Sequence, residues 1–331
     1  MADHSSRRPV AVILIAVLAT IAAAVYGLSA GSMTISPWAL FQLMTGDGGD
    51  ALTRQLVWEL RAPRVAAGFI VGGLLALAGT LMQTLVRNPL ADPFILGTAG
   101  GAAAGALTGL TVFHLSGPWL SINALGGAAL STLLVMALAS ERGSWSPIRL
   151  LLTGVVIATG WGALVSFLLV TQSGTDLQSI MFWLLGDLSR AHNAFIALGV
   201  LVAGLLVTLR IAPALDVMAQ GELRAAALGI SVRRAQMLVF LLASALTAAA
   251  VAVAGTIGFI GLITPHLVRL LGAGNHRAVA FGSVILGGAI LTLADTASRT
   301  LLAPTQLPVG VLTASLGVPF FLYLLRRGYR A

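Results

Sequence analysis

The chain has 331 residues, 58% of them hydrophobic and 9% charged, with a mean hydropathy of +0.97 and a formal net charge of +8. Soluble domains carry about 25% charged residues, so a soluble fold of this size could not hide so much apolar surface, and the surrounding solvent must be lipid. There is no cysteine, which excludes disulfides, thiolate metal sites and thiol catalysis, and all 19 basic residues are arginine, which excludes a P-loop lysine; ATP, if used, must be hydrolysed on another chain.

A bilayer crossing needs about 20 apolar residues. Nine runs approach that length: 10–30, 64–86, 95–115, 119–139, 149–171, 193–210, 235–257, 278–298 and 308–325. A shorter run, 259–272, is interrupted by Pro265 and reads as a broken or half-length pass. The expected fold is thus all-α and polytopic, with about ten transmembrane helices in a single domain spanning 1–331. No long polar segment leaves room for a flanking soluble domain. The first run follows Arg7 and Arg8 and is expected to be an uncleaved first helix, because it is long and further spans follow.

With the N-terminus inside, thirteen arginines fall on the cytoplasmic side, and five fall outside: Arg54, Arg61, Arg64, Arg190 and Arg299. Arg269 lies within the short pass. This bias predicts a membrane protein with both termini cytoplasmic. The arginines are dispersed between apolar runs, so the positive charge reports topology and not a nucleic-acid site.

Two stretches echo each other. Residues 76–80 (ALAGT) lie on pass 2, and residues 252–256 (AVAGT) lie on pass 7; each has a proline ten residues after its glycine, at Pro89 and Pro265. An odd number of passes separates them, which suggests inverted half-repeats of about 60–171 and 235–326, each glycine-rich stretch ended by its proline. Inverted repeats and broken helices are features of transporters. On this reading Arg87-Asn88-Pro89 lies on the cytoplasmic side and Thr264-Pro265-His266 towards the outside. Gly68 with Gly72, and Gly101 with Gly105, predict close helix packing.

Two segments are expected not to span. Residues 172–192 read as a short interfacial helix outside. Residues 211–234 lie inside, and there Gly221 and Gly229 bracket ELRAAAL, a short charged helix that could be an ordinary interfacial helix or a knob for a soluble partner.

The stretches ELRAPRVAAGFIVGGLLALAGTLMQTLVRNPLADPFILGTAGGAAAG, GELRAAALGIS, GTIGFIGLITPHLVRLLG, LADTASRT and QLPVGVLTASLGVPFFLYLL occur in this order. Together they resemble the FecCD-type permeases, the membrane subunits of type II ABC importers for iron–siderophores, haem and vitamin B12. The resemblance covers nearly the whole chain. It implies a homodimer of ten-helix subunits with helices 2–5 and 7–10 inverted. Two ATPase subunits, which carry the ATP and Mg, would dock inside and a substrate-binding protein outside.

By the same resemblance, Arg61, Arg64 and Arg299 are implied as docking arginines for acidic residues of the binding protein. Gly221, Glu222, Arg224, Ala226, Leu228 and Gly229 are implied as the ATPase-coupling segment. Pass 5 is implied to line the channel, with Ser144, Ser146, Thr153 and Thr171 as polar lining and Ser144 and Ser146 near a cytoplasmic gate. The chain departs from the family pattern at Gln306, usually glutamate, and Thr256, usually proline. The first puts a local ion pair in doubt; the second leaves a hydroxyl expected to bond a carbonyl one turn back.

The rival reading is an ion-coupled secondary transporter. Membrane charges usually mark ion or proton routes, but the acids here lie at helix ends or in loops, Asp295 being nearest a helix interior. Four histidines sit near helix ends without an H-x-x-x-H pair, so neither a metal site nor a catalytic residue is expected in this chain. An uncharged path suits a chelate whose metal charge is masked; siderophore, haem and cobalamin permeases share these motifs.

Overall fold

The computed structural model describes residues 4–31, 33–46, 50–115, 117–139, 147–171, 177–189, 191 and 194–326. Every regular element among them is helical: α1 (His4–Ser29), α2 (Pro37–Thr45), α3 (Ala51–Gln55), a π-helical turn (Leu56–Arg61), α4 (Ala62–Val86), a 3-10 turn (Pro93–Leu96), α5 (Thr98–Thr111), α6 (Pro118–Ala139), α7 (Pro147–Thr171), α8 (Leu177–Leu184), α9 (Phe195–Ala219), α10 (Glu222–Ala227), α11 (Val232–Ala254), α12 (Ile260–Leu270), α13 (His276–Thr300) and α14 (Val309–Arg326). Seven are long and apolar enough to cross a membrane, and α12 and α14 are shorter apolar helices. Each of the ten predicted runs falls on a helix, so the chain is a polytopic α-helical membrane protein. Helices suit lipid because they satisfy every backbone N–H and C=O internally.

Helix α4 is the axis of the bundle. Of its most apolar window 83% is buried, against 11% for α7. All residues from Ile70 to Gln83 are buried, so α4 is apolar on every face and must be covered on every side. It packs most extensively on α13 and α11. The close approach to α13 depends on glycine: a Cβ on Gly72 would lie 2.2 Å from the Gly287 carbonyl oxygen. The predicted pair Gly101 and Gly105 likewise lets α5 approach α6 at Gly127.

The structure moves several predicted boundaries. The continuous helix that carries pass 2 begins not at 64 but at Ala51, through α3 and the π turn. Pro63 cannot donate to the carbonyl of Glu59, and the turn widens, with the Ala62 N–H reaching Val57 O. Pass 6 extends to Ala219 with Pro213 inside it, so 211–219 belong to α9 and only the remainder forms the predicted loop.

The echo of ALAGT and AVAGT is not a structural equivalence. Gly79 lies inside α4, whereas Gly255 follows the last residue of α11 at φ 68°. Pro265 does not end its stretch either; it lies inside α12. Residues 255–259 fold back into the bundle, and α12 starts part-way along α4, with the Gly261 carbonyl against Gly79. Thr264-Pro265-His266 therefore sits at the same end as Arg87, contrary to its predicted placement. Gln83, four residues before Arg87, donates to Leu262 O at 3.1 Å and accepts from Arg269 Nη1 at 2.5 Å.

Candidate functional site

The charged side chains gather towards the two ends of this bundle. At one end α4 stops on Arg87, whose φ of 53° turns the chain out of the helix. Asn88 closes the next turn by accepting from the Leu90 N–H. Beside this turn sits α10, six residues between two glycines. Gly221 has φ 127° and Gly229 φ 79°, backbone positions that favour glycine. The Ile230 N–H bonds Ala225 O and the Gly229 N–H bonds Ala226 O, a Schellman closure that ends the helix abruptly.

Three contacts hold α10 to the bundle. Ala225 is fully buried. Glu222 pairs with Arg87 Nη2 at 2.9 Å and accepts from Gln236 Nε2 of α11 at 3.1 Å. The other side is open: Arg224, Ala226 and Leu228 are exposed, and Leu223 is 89% exposed. The sequence reading put Arg87 on the cytoplasmic side without a partner, and singled out neither Leu223 nor Gln236. The signal was there: a leucine on a six-residue helix that tucks in an alanine has nowhere to go but outward.

A second bracket stands near the same end. His276 at the start of α13 meets Asp216 Oδ1 of α9 through both its backbone N–H (2.9 Å) and Nδ1 (2.6 Å), and Thr84 Oγ1 of α4 lies 3.0 Å from its Nε2. One imidazole thereby ties the helix leading into α10 to the two central helices.

At the opposite end the three arginines singled out for docking converge and turn inward. Arg61 is only 5% exposed and donates to the carbonyls of Leu28, Ser29 and Met33. Arg64 grips Asp295 with Nε and Nη2, both at 2.9 Å, in the bidentate geometry that guanidinium and carboxylate share. Arg299 lies 3.8 Å from Asp295, one helical turn on, and donates to Gly27 O. The Asp295 side chain is 4% exposed. Asp295, noted in the sequence only as an acid near a helix interior, is the hub of this end.

Both family departures find their explanation. Gln306 keeps a contact without its charge: its Oε1 accepts from Arg64 Nη1 at 3.3 Å. Thr256 bonds not one turn back but across the fold, to Leu184 O at the end of α8. It has left the helix, so no carbonyl of its own turn is in place.

Of the predicted lining residues, Thr153 is half-buried on α7. Thr171 is exposed and donates to Phe167 O and Leu168 O, its own helix, at 3.1 and 3.0 Å. Ser144 and Ser146 lie outside the described residues. The exposed side of α7 carries Val156, Phe167 and Val170. Among the described residues no three His, Asp or Glu side chains gather as metal ligands.

The sequence model described as the FecCD transport family matches residues 16–327. The chain is 43% identical to the cobalamin import system permease protein BtuC of Halobacterium salinarum, over 82% of this chain and 73% of that one. It is 36% identical to the vitamin B12 import system permease protein BtuC of Serratia proteamaculans, over 95% and 92%. The fold is similar to a solved metal-chelate type ABC transporter in an inward-facing conformation: TM-score 0.82, 28% identity, 96% of this chain and 99% of that chain covered.

Proposed function

This chain belongs to the FecCD transport family, and on that premise we propose that it is the membrane-spanning permease subunit of an ATP-binding-cassette importer whose cargo is a metal chelate, cobalamin in particular. It works as a homodimer in the inner membrane with both termini cytoplasmic. Two ATPase subunits bind at the α10 end, and an extracytoplasmic binding protein docks at the arginine end. Two relatives named as cobalamin or vitamin B12 permeases support the cargo. The sparsely covered face of α7 supports a channel along the dimer axis, with Thr153 and Thr171 at its wall.

The observation that carries this reading is α10. A helix held by Ala225, Arg87 and Gln236 and presenting Leu223 outward is a rigid knob of the size a groove on a partner accepts. ATP-driven closure of the ATPase dimer displaces the knob. The Glu222–Arg87 pair passes the displacement to α4, and the Asp216–His276–Thr84 bracket passes it to α13. Both helices end at the arginine end, so the two ends respond as one body. The arginine cluster carries three cations against Asp295, a surplus of positive charge that favours an acidic docking surface.

The test is a crosslink. The chain has no cysteine, so Leu223→Cys supplies a unique thiol. A bifunctional maleimide should join it to a thiol in the groove of the co-expressed ATPase, and a cysteine at Leu301 at the other end should not crosslink. Crosslinking from Leu301 and none from Leu223 would remove the orientation and the coupling role together.

A further inference from the structure

The segment between α1 and α4 is absent from the functional reading above. Ser36 caps α2 by accepting from the Ala39 N–H at 3.1 Å, Pro37 fills its first turn, and Gly46 ends it at φ 86°. Nine residues reach about 13 Å, too short to cross a bilayer. One edge packs inward, where Leu40 and Leu43 meet Ile35 and Val57. The opposite edge is also apolar and stands open: Trp38 is 66% exposed, Phe41 56% and Met44 69%, and the two rings stack at 5.6 Å. No charged residue occurs from Pro9 to Gly46. Gln42 and Thr45 are the polar side chains of this helix, too few to make a wetted face between its two apolar edges.

Its level is fixed. The strap leading into α2 is the stretch that Arg61 holds by the carbonyls of Leu28, Ser29 and Met33, and the Ile35 N–H closes it on Ser29 O at 3.0 Å. α2 thus lies where the α1 span ends and the α4 span begins. Trp58 and Leu60 of the π turn, both about half exposed, continue the apolar rim beside it. Tryptophan at such a level matches the headgroup region, where an apolar ring body and a polar N–H both find partners.

We propose that α2 is an in-plane membrane anchor whose Trp38–Phe41–Met44 edge sits in the headgroup–acyl boundary of the lipid, with Arg61 clamping the strap that leads to it. Lipid is favoured over the docking protein because that partner would be selected by cations, and this edge offers none. The anchor explains why the most buried of the three arginines is spent on backbone carbonyls: it fixes the membrane depth of the α4 start.

The inference is tested without any transport activity, so it stands or falls separately from the proposed function. A single Met44→Cys, or independently Phe41→Cys, carries an NBD fluorophore in liposomes, with exposed Arg54→Cys as reference. The expected result is a blue-shifted emission relative to the Arg54→Cys label. Quenching should be stronger by a phosphatidylcholine nitroxide at carbon 5 than at carbon 12, and iodide quenching should be lost. Iodide quenching equal to that of the Arg54→Cys label would overturn the anchor. So would a blue shift that arises only when the binding protein is added, since that marks a protein-docking face.

Discussion

The two ends of the bundle use charge in opposite ways. At the arginine end the guanidinium groups are buried and consumed within the chain, by Asp295 and by carbonyls of the α1 end. At the α10 end the Arg87–Glu222 pair is exposed, with side chains 41% and 46% accessible, and frames an outward leucine. The first arrangement holds helices together and offers a partner only its net charge; the second leaves a side chain to be touched. Residue type alone does not separate them, since each end has an arginine–carboxylate pair. Burial does, because it decides whether removal of one partner strands a charge.

That contrast sets the order of expected effects. Arg64→Ala leaves the buried Asp295 without its bidentate partner, facing only Arg299 at 3.8 Å, and should destabilise the protein by about 3–5 kcal/mol. Adding Asp295→Ala should restore much of the loss, as thermal unfolding in detergent would reveal; a fully additive double variant would break the contrast. Leu223→Asp should leave the unfolding temperature unchanged while abolishing ATPase-coupled uptake. A large fall in stability there would mean that α10 is packed and not presented.

Arg87→Ala should cost only about 0.2–1 kcal/mol, and the effect should shrink at high salt because both partners are exposed. A separate effect is a pH slope. Burial pushes the Asp92 carboxyl up to about 6 from its ordinary 3.8, against the opposing hydrogen bonds from the Phe94 and Phe259 backbones. The folded state then holds that proton more tightly than the unfolded chain. Its contribution to stability is present below about 4 and is lost as the pH rises through about 6. Asp92→Asn keeps an oxygen for the Phe94 N–H and should flatten unfolding temperature against pH across that window.

Much of this architecture is written in local composition. Length and hydropathy place ten passes, since a run of about 20 apolar residues has few alternatives in lipid. Gly221 and Gly229 mark α10 because their backbone angles demand glycine. What escapes the sequence is set by partners far apart in the chain. Arg64 and Asp295 are separated by 231 residues, Arg61 and Leu28 by 33, and Thr256 and Leu184 by 72. The ALAGT echo misleads for the same reason: two five-residue stretches that share four letters do not reveal whether a glycine lies inside a helix or caps it. The α2 region was silent because nine residues carry too little periodicity to stand out between two long spans.

The central claim is that this chain imports a chelate by ATP hydrolysis on a partner. The chain, reconstituted in liposomes with the ATPase enclosed and the binding protein outside, should accumulate cobalamin only when ATP is inside and the binding protein is present. Cobalamin uptake driven by a proton gradient alone, with neither ATP nor binding protein, would contradict it.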